Sequence, residues 1–467
     1  MVCSCEALFN PVPRPRVFVF RIFHRVLIKQ RFPFCLTVPE LSSTTSFTSQ
    51  FIMKASLLLG AALISLALGG ALPNLTKVDY SGFKALRLTL PEGAANLTDQ
   101  INELAAAILN SDSGDTLDIV SSPENVDAIS QLAANTTILM EDMGASFAEE
   151  YFSTDYTAPD DNWFTAYHSY ADHLTFLNDL QSSFPSHSEV FTLGKTFNGR
   201  ALTGIHIWGS GVKGSKPAVV LHGTVHAREW ITTLTTEYMA YQLLSKYATD
   251  PVVRAVVDKF DFYITPIANP DGFVYTQTED RLWRKNRENV FGHYCVGRDP
   301  SRNWPFKWEF GGSDTTNPCL ETFKGLAPGD SLEVKALKAQ IDSLSASKGI
   351  SLFLDFHSFG QYILWPFGYD CTLVGTDETS LRSLAERAAA DIMAVYVTMY
   401  QVGNSCRLLK QTTGSSADYV HGVAGSKYTY TFKLRDLLTY GYSLPANQIQ
   451  PTVNETWAAV LPMLQAV

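Results

Sequence analysis

His226 and Glu229 stand three residues apart in Leu221-His222-Gly223-Thr224-Val225-His226-Ala227-Arg228-Glu229-Trp230, directly after the apolar run Pro217 to Leu221. If the chain between them is helical or tightly coiled, an imidazole nitrogen and a carboxylate oxygen converge on one ion. Two donors do not close a site. His357 is the natural third, because it ends the apolar run Leu352-Phe353-Leu354-Asp355-Phe356 and begins His357-Ser358-Phe359-Gly360. There the backbone leaves the core for a loop. Each signal alone is commonplace; together they direct attention to metal-assisted chemistry.

The elements that must position these residues alternate. From Trp163 onward the strand candidates are Thr203–Trp208, Ala218–His222, Asp261–Ile267, Ser351–His357 and Lys427–Leu434. Helical patterns fall at Trp230–Tyr247, Leu332–Lys348, Thr379–Tyr396 and Asn447–Gln465. This predicts an α/β domain with a mixed, largely buried sheet between two helical layers. Ligands of such sheets sit beyond the strand carboxyl ends, where His226, Glu229 and His357 all fall. Upstream, strands at Leu86–Leu90 and Leu117–Val120 and helices at Ile101–Leu109 and Asn125–Ala134 predict a small α+β open sandwich. Between the two, Tyr151 to Asn162 is polar and turn-rich, the composition of an exposed linker.

The chain has 467 residues, 46% of them hydrophobic and 18% charged, enough for a large core. Its formal charge is −10; without residues 1–52, 30 basic and 44 acidic residues remain, near −14. That balance excludes a nucleic-acid partner. Met53-Lys54, the apolar run Ala55 to Gly70 and the small residues ending at Ala71 have the layout of a secretory signal, with too few apolar residues for a stable membrane anchor. Residues 53–71 are therefore expected to be a cleaved export signal, and 1–52 an over-extended N-terminus, since such a signal should begin the chain. Outside 1–52 the cysteines are Cys295, Cys319, Cys371 and Cys406, an even number that suits two bridges in an exported protein. The Asn-x-Ser/Thr triplets at Asn74, Asn96, Asn135 and Asn454 are compatible with glycosylation.

The ordered strings His226-Ala227-Arg228-Glu229-Trp230, Arg281-Leu282-Trp283-Arg284-Lys285-Asn286-Arg287, Arg302-Asn303-Trp304, His357-Ser358 and Leu434-Arg435-Asp436 resemble the zinc metallocarboxypeptidases of the A/B type. The likeness runs from about Trp163 to the C-terminus. It implies one Zn²⁺ on His226, Glu229 and His357, with the fourth position left to an acidified water. Arg284 would polarise the scissile carbonyl, Arg302 would grip the substrate's terminal carboxylate, and Arg228, Ser358 and Phe359 would line outer subsites. Asp418 matches the floor of the specificity pocket, where Ala417 stands at the position that is acidic in enzymes preferring basic residues; a small apolar residue there implies large apolar or aromatic side chains. The resemblance further implies bridges Cys295–Cys319 and Cys371–Cys406. It makes 72–153 an inhibitory pro-region, bearing the late Met140-Glu141-Asp142-Met143, and 154–467 the carboxypeptidase domain. The partners so implied are peptide or protein C-termini and the chain's own pro-region, in a secreted monomer.

Three positions depart from the family pattern. The general-base glutamate of the family's Phe-Glu-Leu-Arg-Asp is Lys433 here, in Phe432-Lys433-Leu434-Arg435-Asp436. An ammonium has no lone pair with which to take a proton from water. Next to Zn²⁺, at about 4–5 Å and an effective dielectric of about 20, it also adds several kcal/mol of repulsion. Ser301 replaces an asparagine donor before Arg302, and Lys410 takes the place of the mobile tyrosine that caps the substrate. The expectation is a zinc-binding relative that holds peptide C-termini and has lost hydrolysis. The alternatives are an active A-type carboxypeptidase and a zinc-free structural or cell-wall protein.

Overall fold

The computed structural model describes residues 77–467 apart from 92–94, 111–115, 151, 154–155, 157–158 and 311–316. The expected extension 1–52 and export signal 53–71 lie outside the described residues.

The first unit is a sheet of four antiparallel strands, β1 (Lys84–Thr89), β2 (Ala107–Asn110), β3 (Thr116–Ser121) and β4 (Asn135–Met140), in the order β2-β3-β1-β4. Because side chains alternate along a strand, Leu86 and Leu88 of β1 and Leu117 and Ile119 of β3 meet Ile101 and Ile129 from the helices Ala95–Leu104 and Val126–Ser130. Ala85 and Val120 turn the opposite way, toward Leu282, Phe359, Leu438 and Tyr442 of the larger unit. The open sandwich is thus present, with two of its elements differing from expectation. The helix expected over Ile101–Leu109 stops at Leu104, and Ala107–Asn110 is a strand. The helix expected over Asn125–Ala134 stops at Ser130, and β4 follows it.

The larger sheet has eight strands: β5 (Ser188–Lys195), β6 (Ala201–Ile207), β7 (Ala218–His222), β8 (Asp261–Thr265), β9 (Ile350–Ser358), β10 (Tyr362–Trp365), β11 (Gln401–Asn404) and β12 (Tyr428–Leu434). Their order is β11-β10-β12-β9-β7-β8-β6-β5. The central four, β12, β9, β7 and β8, run parallel, and antiparallel pairs flank them on both sides. The sheet is mixed, as expected. Val219, Leu221, Leu352, Leu354 and Phe356 pack under the helices Ile231–Ser245, Glu378–Tyr396 and Ile449–Ala466. Val220 and Phe353 pack on the other face against Val334, Leu337 and Ile341 of helix Leu332–Ser347. Each such fully buried side chain stabilises the fold by about 1.5–3 kcal/mol.

The parallel strands β7 and β9 end at His222 and Ser358, so their carboxyl ends deliver the two metal-candidate loops to one edge. Both cysteine pairs form bridges, Cys295–Cys319 with Cα atoms 5.1 Å apart and Cys371–Cys406 with 4.9 Å. Asn454 lies inside helix Ile449–Ala466, and its Oδ1 accepts from Tyr238 Oη at 2.7 Å, a position that disfavours a glycan. Among the described residues no helix is long and apolar enough to cross a membrane.

Candidate metal centre

His226 and Glu229 lie on the turn between β7 and the helix Ile231–Ser245, not within the helix. The turn is tightly seated. A Cβ on Gly223 would come within 2.8 Å of the carbonyl oxygens of Pro266 and Thr232, so only glycine lets the chain leave the strand there. Asn269 Nδ2 donates to Val225 O at 3.2 Å and Lys285 O at 3.1 Å, and Ala227 N donates to Arg284 O at 3.0 Å. The Glu229 amide closes the turn on His226 O at 3.2 Å.

The three expected donors converge. His226 Nδ1 is 2.8 Å from Glu229 Oε1; His357 Nδ1 is 3.0 Å from Glu229 Oε2 and 3.0 Å from His226 Nδ1. All three are buried, and they form the group of ligand-type side chains able to hold a metal ion among the described residues. Each imidazole is oriented through its other nitrogen. His226 Nε2 faces Asp299 Oδ1 at 3.1 Å and Ser301 Oγ at 2.8 Å; His357 Nε2 faces Asp355 Oδ2 at 3.4 Å. A ring that donates from Nε2 presents the bare Nδ1 lone pair inward. Two such lone pairs and a carboxylate in contact repel one another unless a cation lies between them, and two nitrogens with one oxygen suit zinc. The residues therefore fit the ion that the resemblance implies.

The local electrostatics agree. Burial alone would raise the Glu229 carboxyl, but His226 and His357 overcome it and hold it well below the carboxylate range. Burial would lower His357, yet Asp355 and Glu229 push it up to about 9, so an ion binding there competes with a proton. Asp299 is also held far down despite burial, chiefly by Arg284 and then His226.

Asp299 is a residue that sequence reasoning missed. Its carboxylate takes the amide of Ser301 at 2.9 Å and its hydroxyl at 2.8 Å, and Arg284 Nη2 at 2.9 Å. One buried acid thus fixes His226, Ser301 and Arg284 together. The available signal was its place before Pro300 at the start of the turn Pro300–Arg302, where an acid caps the free amides. Asp355, at the end of the β9 apolar run, was visible but had no role assigned.

Of the expected peptide-contacting residues, Arg284, Ser301, Arg302, Lys410, Ala417, Asp418 and Lys433 line one cavity with the metal donors. Arg302 Nη1 donates to Ser301 Oγ at 2.8 Å. Lys433 pairs with His357 across the parallel β12 and β9, so the two side chains rise on one face of the sheet. Asp418 is turned into the structure: its oxygens accept from the amides of Gly368 at 2.9 and 3.0 Å and Tyr369 at 3.1 Å. Arg228 is fully buried; it donates to Leu282 O and reaches the first unit at Ile108 O, at 2.8 Å. Phe359 packs on Tyr442, with ring centroids 4.9 Å apart, in a cluster that includes Met140 and Met143. Ser358 donates its amide to Glu229 Oε2 at 3.2 Å.

The first unit therefore covers the cavity mouth. Tyr442 Oη donates to Leu109 O at 2.9 Å, Tyr80 Oη donates to Asp280 at 2.7 Å, and Arg281 forms a buried ion pair with Glu150. Reading Ile101–Leu109 as helix hid the strand that makes the first of these contacts and accepts from Arg228.

A profile described as zinc carboxypeptidase matches residues 173–459. The chain is 42% identical over 403 residues to metallocarboxypeptidase A of Trichophyton rubrum, covering 83% of this chain and 94% of that protein. It is 34% identical over 305 residues to carboxypeptidase A2 of Mus musculus, covering 65% of this chain and 71% of that protein. In three dimensions it resembles the carboxypeptidase A from Helicoverpa armigera with a TM-score of 0.72 at 24% identity, over 83% of this chain and 97% of that one, a likeness of fold. By the extent of these matches, the chain belongs to the zinc carboxypeptidase family.

Proposed function

We propose that this protein is an exported, zinc-binding carboxypeptidase relative that holds the C-terminal ends of peptides without hydrolysing them, with 72–153 as its intramolecular cover and 154–467 as the binding unit. The observation that carries the reading is the place of Lys433. It lines the cavity in register with His357, at the position where the family's pattern has the glutamate that moves the proton. Bound zinc acidifies water and polarises a carbonyl. His226, Glu229 and His357 would hold it, Arg284 would stabilise negative charge on the peptide carbonyl, and Arg302 would bind the terminal carboxylate. An ammonium at Lys433 cannot accept the proton that the water must lose.

Supporting this reading, the metal-donor geometry is coherent while the proton-transfer position has changed. The test is metal analysis together with a turnover assay on an N-blocked dipeptide ending in Phe, using both the full chain and chain cut within 151–162. About one zinc per chain and no chelator-sensitive release of the terminal residue is the expected result. Release that a chelator abolishes would make this an active A-type enzyme. Less than about one tenth of an equivalent of zinc at neutral pH would favour a zinc-free structural role.

A further inference from the structure

The cavity beside the metal donors has a volume of about 450 Å³, room for a terminal residue of any ordinary size, so chemistry and not size must choose the occupant. Ala417 alone predicts an apolar one. The surrounding wall is mixed: Leu364, Trp365, Pro366 and Leu409 supply its apolar part, and Ser405, Thr412 and Thr431 line the rest with hydroxyls, which a buried phenyl ring would cut off from water without replacing the hydrogen bonds lost. Thr431 and Lys433 are alternate residues of β12 and share a face. Lys410 enters the same cavity from the chain just after the disulfide-tied Cys406.

The carboxylates of the cavity are held by the protein itself. Glu229 faces the two histidines, Asp355 accepts from Ser416 Oγ, Asp418 takes the amides of Gly368 and Tyr369, and Glu321 faces Arg228. Arg284 is matched by Asp299. Arg302 donates to Ser301 only through Nη1, and its Nε and Nη2 make no hydrogen bond among the described residues. A single terminal carboxylate engages Arg302 alone. Lys410 and Lys433 each interact with other groups of the chain, and a second ligand carboxylate would compete for these same two donors.

Building on the proposed function, we infer that the pocket selects a peptide whose last residue is acidic, its α-carboxylate on Arg302 and its side-chain carboxylate between Lys433 and Lys410. A C-terminal Lys or Arg is rejected by like charge, and a Phe gains only the apolar part of the wall while it covers hydroxyls and ammonium groups.

The experiment measures binding of N-blocked dipeptides ending in Glu, Gln, Phe and Lys to the zinc-loaded full chain, both intact and cut within 151–162, by calorimetry, with the C-terminal amide of each as reference. The Glu peptide is expected to bind at least about tenfold more tightly than its isosteric Gln partner and more tightly than Phe or Lys. Lys433→Met is expected to close the Glu-over-Gln gap by about tenfold. Lys410→Met, at an exposed position, reports on the same gap if the first variant melts abnormally. Equal affinity for Glu and Gln overturns the acidic preference and leaves binding of C-termini standing. No advantage of any free carboxylate over its amide overturns both.

Discussion

His226, Glu229 and His357 and, beside them, Lys433 and Lys410 line one space, and the two sets are tied to the fold in opposite ways. On the first, every donor is buried and held by a second buried group: Asp299 behind His226, Asp355 behind His357, the Ser358 amide on Glu229. A substitution there strands a charge away from water, at a cost of about 3–5 kcal/mol. On the second, Lys433 is half-buried and Lys410 exposed, so a side chain can change identity with little cost to folding. Ion binding and proton transfer are thus separable: the fold protects the first and leaves the second open to change. Ser301 is buried, but its hydroxyl joins the hydrogen bonds on Asp299 and so leaves no gap.

The comparison breaks most readily at the donor wall. His357→Ala should lower zinc from about one per chain to under about one tenth, measured by elemental analysis after dialysis, because two remaining side-chain donors do not make a stable site. Zinc retained at full stoichiometry would mean that the three residues are not the ligands. Next in size is restoration at Lys433. Lys433→Glu should raise turnover of an N-blocked dipeptide by about 10²–10⁴-fold in chain cut within 151–162, the range a positioned general base supplies. If zinc is bound and turnover stays at background, the loss of hydrolysis lies also in Ser301 and Lys410, and the triple reversion decides it.

Much of this centre could be read from the sequence because its residues sit where local patterns end. His226 follows the apolar stretch Ala218–His222 and His357 lies near the end of the β9 run, so both fall at strand carboxyl ends, where the site of such a sheet is expected. Four of the main helices are long and rich in apolar residues, and the sequence places them within two residues at either end. The elements not foreseen lack such a pattern or lie at edges: β10 and β11 are four residues each. Helix Pro251–Lys259 does carry a signature, with Asp250 accepting from Val252 N and a proline in the first turn, and is not among the expected helices. The first unit differs from expectation at Ala107–Asn110 because a short run of Ala, Ile and Leu fits helical and strand periods equally. The hub role of Asp299 joins residues 73 and 15 positions away in the chain, a relation that no local pattern encodes.

A smaller effect probes how the donor wall is braced. Asp355→Asn should weaken zinc binding about 10–100-fold, measured by competition with a chromogenic chelator, since the amide no longer fixes His357 with its Nδ1 lone pair inward. Lys410→Met should leave zinc affinity within error, because that residue supports no ligand. Equal losses from both would erase the distinction between a braced wall and a replaceable one.

The smallest effect concerns Asp418, which belongs to the cavity but to neither wall. Burial pushes its carboxyl up to about 7 against the opposing amides of Gly368 and Tyr369. A carboxyl whose pKa is higher folded than unfolded binds more protons in the folded state, so the stability it contributes falls as pH rises from about 4 to about 7 and is level above that. Asp418→Asn keeps an acceptor for those amides and removes the titration. The melting temperature of the natural chain relative to this variant should therefore decline by a few degrees between pH 5 and pH 8, in calorimetric scans of both. A difference independent of pH would place Asp418 among the permanently ionised groups, adding a fixed negative charge to the cavity lining, and the cavity would then favour an acidic ligand less than its lysines suggest.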